Sequence, residues 1–342
     1  MRHDASAAAV ERGQYPDTVT PWGDPAWREA ALAWAEHGLA ARGLRTARRL
    51  TVRLRPWSVL VRMTAEGEPD AWFKAGPDTG AGGAFEAGLA EALARWVPGH
   101  VLEPLAVDAA RGWSLLPHGG TLFQDALRQD SAGGRAWEEP LRQYAAMQRA
   151  LGPRAGEMGR LGVPDARMAV LPGTFDRLVE ENATLDPDTR TALRALRPRV
   201  QGWCDELAAT GIPDSLDHCD LHDGQFFAPV PGRFTFFDWG DATVSHPFCS
   251  LLVPLRTAAD RYGPQVLPRL RDAYLDPWTD TGLTPAELRR AVSLACRLGA
   301  VGRASSWGRL FPGAGEGPTT QGDAASARWL RELLAEPVIH RP

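Results

Sequence analysis

The stretch from Leu216 to Asp241 reads LDHCDLHDGQFFAPVPGRFTFFDWGD, and the rest of the chain is best interpreted outward from it. Asp220 opens a D-L-x-x-x-Q segment that ends at Gln225, and Asp238 opens a D-W-G segment. Two aromatic runs flank the Pro-Gly pair at 231–232, which predicts a small β-hairpin between the two segments. A loop acid, a metal-binding side chain five residues later and a strand that delivers a second acid form the order of parts that phosphoryl transfer needs. We therefore predict a phosphoryl-transfer site.

The cationic residues are almost all arginine. Lys and Arg together number 38, yet Lys74 is the single lysine in the sequence. Arginine can supply surface charge everywhere else, so a lysine indicates a position where a compact ammonium group is required. Lys74 lies in a short apolar run, residues 71–75, that is typical of a strand.

The first 120 residues predict a polar, loosely held arm (1–23), then a helix, three strands, a second helix and two more strands. Asp24 and Pro25 have the character of an N-cap and a first helical position, and Gly43 that of a helix end. A glycine-rich loop at 76–83 precedes the second helix. The predicted ranges are helices at 25–43 and 84–96 and strands at 50–54, 59–63, 71–75, 101–107 and 112–116.

The chain after residue 120 is helical in pattern, apart from the hairpin within the opening stretch. The predicted helices cover residues 138–151, 174–182, 187–209, 247–261, 264–274, 285–306 and 325–334. The two regions predict an α+β protein with an N-terminal lobe at 1–120, built on an antiparallel sheet, and a mainly helical C-terminal lobe at 121–342.

Transfer of a γ-phosphoryl group requires that a polyanion be held, its charge neutralised and an acceptor hydroxyl oriented. We expect Lys74 to contact the nucleotide phosphates and Glu86, on the following helix, to hold its ammonium, with Glu91 as the alternative partner. Asp220 is the expected base, which takes the proton of the acceptor hydroxyl. Asp238 and Gln225 are the expected Mg²⁺ ligands.

The chain resembles the aminoglycoside phosphotransferase family, a branch of the protein-kinase-like fold. HCDLHDGQ and FFDWGD are similar to that family's H-G-D-L-H-x-x-N and I-D-W-G-D segments, and the resemblance extends to the W-F-K and F-E-A runs around Lys74 and Glu86. It covers roughly residues 50–250. The resemblance implies a two-lobed fold, ATP or GTP as donor, Mg²⁺, and a small hydroxylated acceptor bound on the helical lobe.

Three departures from the family pattern bear on function. Gln225 stands where the family has Asn, which keeps an amide oxygen but changes its reach. Cys219 replaces a Gly, where we expect an effect on packing alone. No G-x-G-x-x-G links the first two strands, so residues 55–58 are expected to cover the phosphates with backbone N–H groups and the Ser58 hydroxyl. The lack of an A-P-E segment after Asp241 favours a small-molecule acceptor over a protein.

Two other classes of function are compatible with parts of the pattern. The change at Gln225 is compatible with a pseudokinase that binds nucleotide and regulates a partner. His218, Cys219 and His222 are compatible with the transition-metal site of a hydrolase, although Lys74 and the D-W-G segment would then have no purpose. Polar residues after 250, among them Asp260, Asp272 and Arg303, are equally compatible with an acceptor site and with solvated helix faces. The identity of the acceptor and the oligomeric state are not predicted.

Composition argues against several partners. The net charge of −4 provides no basic field for nucleic acid, and no run of 18 apolar residues is present that would span a bilayer. Glu11 and Arg12 interrupt the start of the chain, which therefore lacks the apolar core of a signal peptide, and a cytoplasmic location is expected. Four scattered cysteines without C-x-x-C spacing predict buried free thiols.

Overall fold

The structure, a computed structural model, describes residues 9–45, 49–77, 85–129, 133–311, 319–337 and 339. The chain divides into two compact units, residues 1–119 with 309–319 and residues 120–308 with 320–342. The first unit carries a mainly antiparallel sheet and the second is mainly helical, which confirms the predicted α+β class. The sequence pattern placed a boundary after residue 120 and gave no sign that residues 309–319 belong with the first unit.

The first unit is a six-stranded sheet with two helices. Its elements are β1 (Ala9–Glu11), α1 (Pro25–Ala41), β2 (Arg49–Arg55), β3 (Ser58–Thr64), β4 (Ala71–Ala75), α2 (Phe85–Trp96), β5 (Ala106–Asp108) and β6 (Trp113–Pro117). The strand order is β1-β2-β3-β4-β6-β5. β1 runs parallel to β2, and the other neighbours are antiparallel.

Alternation along β4 directs its side chains to two different helices. Phe73 is fully buried and makes edge contacts with Trp27 and Trp34 of α1 and with Trp113 of β6. Because successive side chains of a strand point to opposite faces, Lys74 lies on the other face of the sheet. The aromatic cluster therefore fixes the strand that carries the single lysine.

Most elements of this unit were predicted, with two differences. Asp24 caps α1 as expected, since its side chain accepts a hydrogen bond from Ala26 N at 2.9 Å. The predicted arm contains β1, and the predicted strand at 101–107 shortens to β5. The predicted glycine-rich loop at 76–83 lies outside the described residues from position 78 onward.

The second unit consists of nine described helices and two small two-stranded sheets. The helices are α3 (Phe123–Gln129), α4 (Glu138–Leu151), α5 (Ala155–Arg160), α6 (Leu171–Glu181), α7 (Pro187–Ala208), α8 (Leu252–Tyr262), α9 (Leu267–Leu275), α10 (Pro285–Ser306) and α11 (Thr319–Glu332). The strands are β7 (Ser215–Asp217), β8 (Phe226–Val230), β9 (Arg233–Phe236) and β10 (Thr243–Ser245). β8 and β9 form the predicted hairpin, and β7 pairs with β10 in antiparallel fashion.

Local sequence explains where the long helices begin. Asp186 caps α7 by accepting from Thr189 N at 2.8 Å, and Thr284 with Glu287 forms a capping box at the start of α10. The hairpin is anchored by stacking of Phe226 on Phe123 of α3, with ring centroids 4.5 Å apart. None of the described helices is both long and apolar enough to cross a membrane.

Candidate active site

The loop that carries Asp220 and the turn that carries Asp238 are held together inside the second unit. The loop connects β7 to β8, and the turn connects β9 to β10. The pairing of β7 with β10 sets Asp217 opposite Thr243, at the start of the loop and the end of the turn. Phe237, immediately before Asp238, donates its N–H to the carbonyl oxygen of Gln225 at 3.2 Å. The two motifs, which follow each other in the sequence, are thus connected directly in the structure.

His218 supplies a second connection between the loop and the turn. Its Nε2 lies 2.9 Å from the carbonyl oxygen of Phe237, and its ring is 5.0 Å from that of Trp239. Burial lowers the pKa of His218, so the ring is neutral at pH 7 and Nε2–H is the donor. Nδ1 is buried and has no hydrogen-bond partner among the described residues. His218 therefore orients the backbone of the turn through its bond to Phe237 O.

Asp220 is a partly buried carboxylate with an arginine partner. Arg303 Nη2 lies 2.8 Å from Asp220 Oδ1. Burial raises the pKa of Asp220 to about 6, and the Arg303 charge opposes that rise while the charges of Asp241 and Asp238 add to it. A carboxylate with a pKa near the working pH is suited to accept a proton during a reaction.

Arg303 corrects one expectation of the sequence analysis. The sequence pattern is compatible with Arg303 as an acceptor contact or as a solvated charge, like Asp260 and Asp272. In the structure, Arg303 is 8% exposed and pairs with both Asp220 and Asp241. Asp272 pairs with neighbouring arginines, Arg271 at 2.8 Å and Arg289 at 3.5 Å, and it matches the solvated reading.

A signal for the buried arginine is present in the sequence of α10. Residues 298–306 read LGAVGRASS, in which Arg303 is the only charge among small and apolar residues. A helix segment that is apolar on every side is buried, and a charge within it requires a partner.

Two residues of the site have left-handed backbone conformations. Cys219 has a φ of 60° and Asp238 a φ of 66°. Positive φ is uncommon for side chains other than Gly, Asn and Asp. The family's Gly at position 219 therefore has a backbone reason, and the expectation that Cys219 affects packing alone was too narrow. The thiol itself is buried, with Sγ 3.4 Å from Thr243 Oγ1.

A buried polar network supports the start of the loop. Asp217 Oδ1 accepts hydrogen bonds from Cys219 N at 2.8 Å and from Ser250 Oγ at 2.7 Å. Gln148 of α4 donates to Leu216 O at 2.7 Å and to Ser250 Oγ at 3.1 Å. Burial raises the pKa of Asp217, and these bonds oppose the rise. The loop is thus fixed from beneath by α4 and by the 3₁₀ turn that contains Ser250.

The proposed Mg²⁺ ligands fit a cation that is also bound by a nucleotide. In the described ranges, no group of three or more His, Cys, Asp or Glu side chains is arranged to hold a metal ion, so these residues give no support to a hydrolase-type site at His218, Cys219 and His222. Mg²⁺ commonly takes one or two protein oxygens together with phosphates and water. Asp238 offers a carboxylate and Gln225 an amide oxygen of this kind, and the backbone bond to Phe237 ties the two positions together.

Lys74 and Glu86 form an ion pair in the first unit. Lys74 Nζ lies 2.6 Å from Glu86 Oε1, with the two side chains 12% and 18% exposed. Glu91, the alternative partner, pairs instead with the exposed Arg95 at 3.2 Å. Ser58 opens β3 opposite Arg55, across a two-residue turn in which Pro56 O accepts from Phe311 N at 2.8 Å.

A model of a known protein family matches more than half of this chain. A model of the phosphotransferase enzyme family matches residues 73–289. No curated protein matches the sequence.

Solved structures give a further comparison. The Plasmodium vivax ethanolamine kinase superposes with a TM-score of 0.58 at 12% identity, over 89% of this chain and 86% of that one. The aminoglycoside phosphotransferase APH(2″)-IIIa, in complex with GDP and kanamycin, gives 0.57 at 16%, over 88% and 98%. A macrolide 2′-phosphotransferase from Brachybacterium faecium gives 0.53 at 18%, over 86% and 97%. At these identities the likeness establishes the fold, which is protein-kinase-like.

Proposed function

Because this chain belongs to the phosphotransferase enzyme family, we propose that it transfers the γ-phosphoryl group of ATP or GTP to a hydroxyl group of a small molecule. An aminoglycoside, an amino sugar or an amino alcohol is the proposed acceptor class. Structures of similar fold include proteins named as ethanolamine, aminoglycoside and macrolide kinases, and one of them is a complex with GDP and kanamycin. The comparisons give no support to the alternative of a regulatory pseudokinase.

The observation that carries the proposal is the double connection at Phe237. Its N–H donates to Gln225 O and its carbonyl oxygen accepts from His218 Nε2. One residue therefore couples the loop of Asp220 to the turn of Asp238. A site for phosphoryl transfer requires a base and a metal-binding acid in fixed relation, and this connection supplies it.

Each side chain has a defined role in the proposed reaction. Asp220 accepts the proton of the acceptor hydroxyl while that oxygen bonds to the γ-phosphorus and the bond to the β–γ bridging oxygen breaks. The products are the phosphorylated acceptor and a nucleoside diphosphate. Asp238 and Gln225 would hold Mg²⁺, which neutralises phosphate charge when bound. Lys74, held by Glu86, would bind the phosphates, with Ser58 as a further contact.

The test is turnover with matched variants. Purified protein with Mg²⁺ and γ-labelled ATP or GTP is assayed against aminoglycosides, amino sugars and amino alcohols. Asp220→Asn is expected to lose roughly 10²–10⁴-fold in kcat, the usual contribution of a positioned base, while it still binds nucleotide. Asp188→Asn, which changes an exposed carboxylate on α7, is the control and retains activity. Absence of turnover by the wild type on the whole panel, or equal turnover by Asp220→Asn, would overturn the proposal.

A further inference from the structure

Arg303 is a buried charge that contacts the proposed base directly. It lies in the last turn of α10 and is 8% exposed. Its Nη2 lies 2.8 Å from Asp220 Oδ1, and its Nη1 lies 3.1 Å from Asp241 Oδ2 and 2.6 Å from Ser306 Oγ. The two terminal nitrogens of one planar group thus hold two different carboxylates. A guanidinium has the rigid fork that such a bridge requires.

Arg303 contacts Asp220 although it has two other partners. Asp241 and Ser306 already provide Arg303 with partners, and desolvation of a second carboxylate is costly. The contact nevertheless includes Asp220 through one of its oxygens, Oδ1. In the proposed reaction, the acceptor hydroxyl would donate its hydrogen bond to the other oxygen, Oδ2. The arginine therefore fixes the orientation of the Asp220 carboxylate in addition to neutralising its charge.

We propose that Arg303 is a positioning residue for phosphoryl transfer, which holds the Asp220 carboxylate in one orientation and stabilises its negative charge through the ion pair. This role rests on the proposed function, in which Asp220 is the base. Asp241, the last residue of the D-W-G-D segment, fixes the arginine in turn. The D-W-G-D segment therefore has two roles: it supplies Asp238, and through Asp241 it holds the arginine that positions Asp220.

The charges around Asp220 predict the direction in which its pKa changes when Arg303 is replaced. Burial raises the pKa of Asp220, Asp241 and Asp238 raise it further, and Arg303 with His222 lowers it. Among the neighbours that lower the pKa of Asp220, Arg303 has the largest effect. Removal of the guanidinium charge therefore raises the pKa of Asp220 above its wild-type value of about 6.

The first measurement needs no turnover. Asp220 is titrated by carboxyl ¹³C NMR in Asp-labelled protein without Mg²⁺, with its signal assigned from the spectrum of Asp220→Asn. Arg303→Gln is expected to raise the pKa of Asp220 by about 1 to 3 pH units, the usual effect of an opposite charge at this range. Arg297→Gln is the matched control, because Arg297 is a mostly buried arginine of the same helix that pairs with Glu336 and with the carbonyl oxygens of Leu333 and Ala335. It leaves the titration unchanged.

The second measurement separates orientation from charge. Arg303→Lys keeps the charge but loses the fork, so the pKa of Asp220 stays near 6 while kcat at its pH plateau falls roughly tenfold, the equivalent of one charge-assisted hydrogen bond. This variant also serves if Arg303→Gln does not fold. An unchanged pKa in folded Arg303→Gln, or a wild-type plateau in Arg303→Lys, overturns the inference. Lack of turnover by the wild type overturns the proposed function, and the NMR titration still decides whether Arg303 governs Asp220.

Discussion

The imidazole Nε2 of His218 lies 2.9 Å from the carbonyl oxygen of Phe237, so a side chain two residues before Asp220 binds the backbone one residue before Asp238. This bond forms between two loops far apart in sequence. Because His218 is fully buried and neutral, its loss leaves the Phe237 carbonyl without that donor at a partly buried position. The two proposed functional groups share one support.

His218→Leu tests that support. The variant keeps an apolar side chain but removes the donor, and an unsatisfied buried carbonyl costs about 1–3 kcal/mol. We expect kcat to fall roughly 10- to 100-fold and the Mg²⁺ requirement to rise, as measured by turnover at varied Mg²⁺. His246→Asn, which alters another buried histidine of the same unit, is the control. Retention of both parameters within about twofold in His218→Leu would show that the bond is dispensable.

Two glutamates of α2 form a matched pair for the proposed phosphate site. Glu86 pairs with the mostly buried Lys74 at 2.6 Å, whereas Glu91 pairs with the exposed Arg95 at 3.2 Å. Glu86→Gln is expected to lower kcat/KM for the nucleotide roughly tenfold, because Lys74 loses the carboxylate that orients it. Glu91→Gln changes it less than about twofold, since exposed pairs contribute little. Equal effects of the two variants would remove Glu86 from the site.

Gln225→Asn tests the departure from the family pattern. The shorter side chain retains the amide oxygen and loses one methylene, so less rotamer entropy is lost when it binds a cation. The expected outcome is a few-fold lower Mg²⁺ concentration at half-maximal rate. Gln201→Asn on α7, where Gln201 binds Asp205, leaves the Mg²⁺ dependence as it was. A Mg²⁺ dependence that is identical in Gln225→Asn and the wild type would argue against Gln225 as a ligand.

His246 predicts a loss of stability in acid. Burial lowers the pKa of His246 to about 3, from an ordinary value of 6.5. The unfolded chain therefore binds a proton below pH 6.5 that the folded chain refuses, and stability falls between pH 6.5 and about 3 by up to about 1.4 kcal/mol per pH unit. Asn at this position can still cap the turn by accepting from Phe248 N, as His246 Nδ1 does at 3.3 Å.

Urea unfolding midpoints between pH 7 and pH 4.5 measure that contribution. His246→Asn should have a shallower decline than the wild type, while His37→Asn, an exposed position of α1, should follow the wild type. Parallel declines in all three proteins would mean that other groups carry the acid sensitivity.

The backbone conformation at Cys219 predicts that glycine is more stabilising than alanine there, the reverse of the usual order in a helix. With φ at 60°, Cys219→Ala keeps the backbone strain and Cys219→Gly relieves it. The glycine variant should be more stable than the alanine variant by about 1 kcal/mol. At Cys296, in the middle of α10, glycine should be less stable than alanine by about 1 kcal/mol. Thermal unfolding of the four variants checks both signs, and the same order at both positions would refute the strain.

Local patterns were sufficient for much of this molecule. Alternation along β4 places Lys74 and Phe73 on opposite faces of the strand, and the apolar pattern of α2 places Glu86 on that helix. Both placements depend on short stretches of sequence, and together they predicted the ion pair. Arg303 could not be assigned in the same way, because 83 residues separate it from Asp220 and its partner is decided by how α10 packs. The same holds for Ser250, which meets Asp217 only after the chain has folded.

Lys74 has a practical consequence outside catalysis. As the single lysine of the sequence, it carries the only side-chain amine that an acylating reagent can modify. Its ion pair with Glu86 and its 12% exposure slow that modification without preventing it. Amine-directed reagents would therefore modify one side chain at most, and peptide mass mapping, which distinguishes that side chain from the N-terminal amine, would report its occupancy.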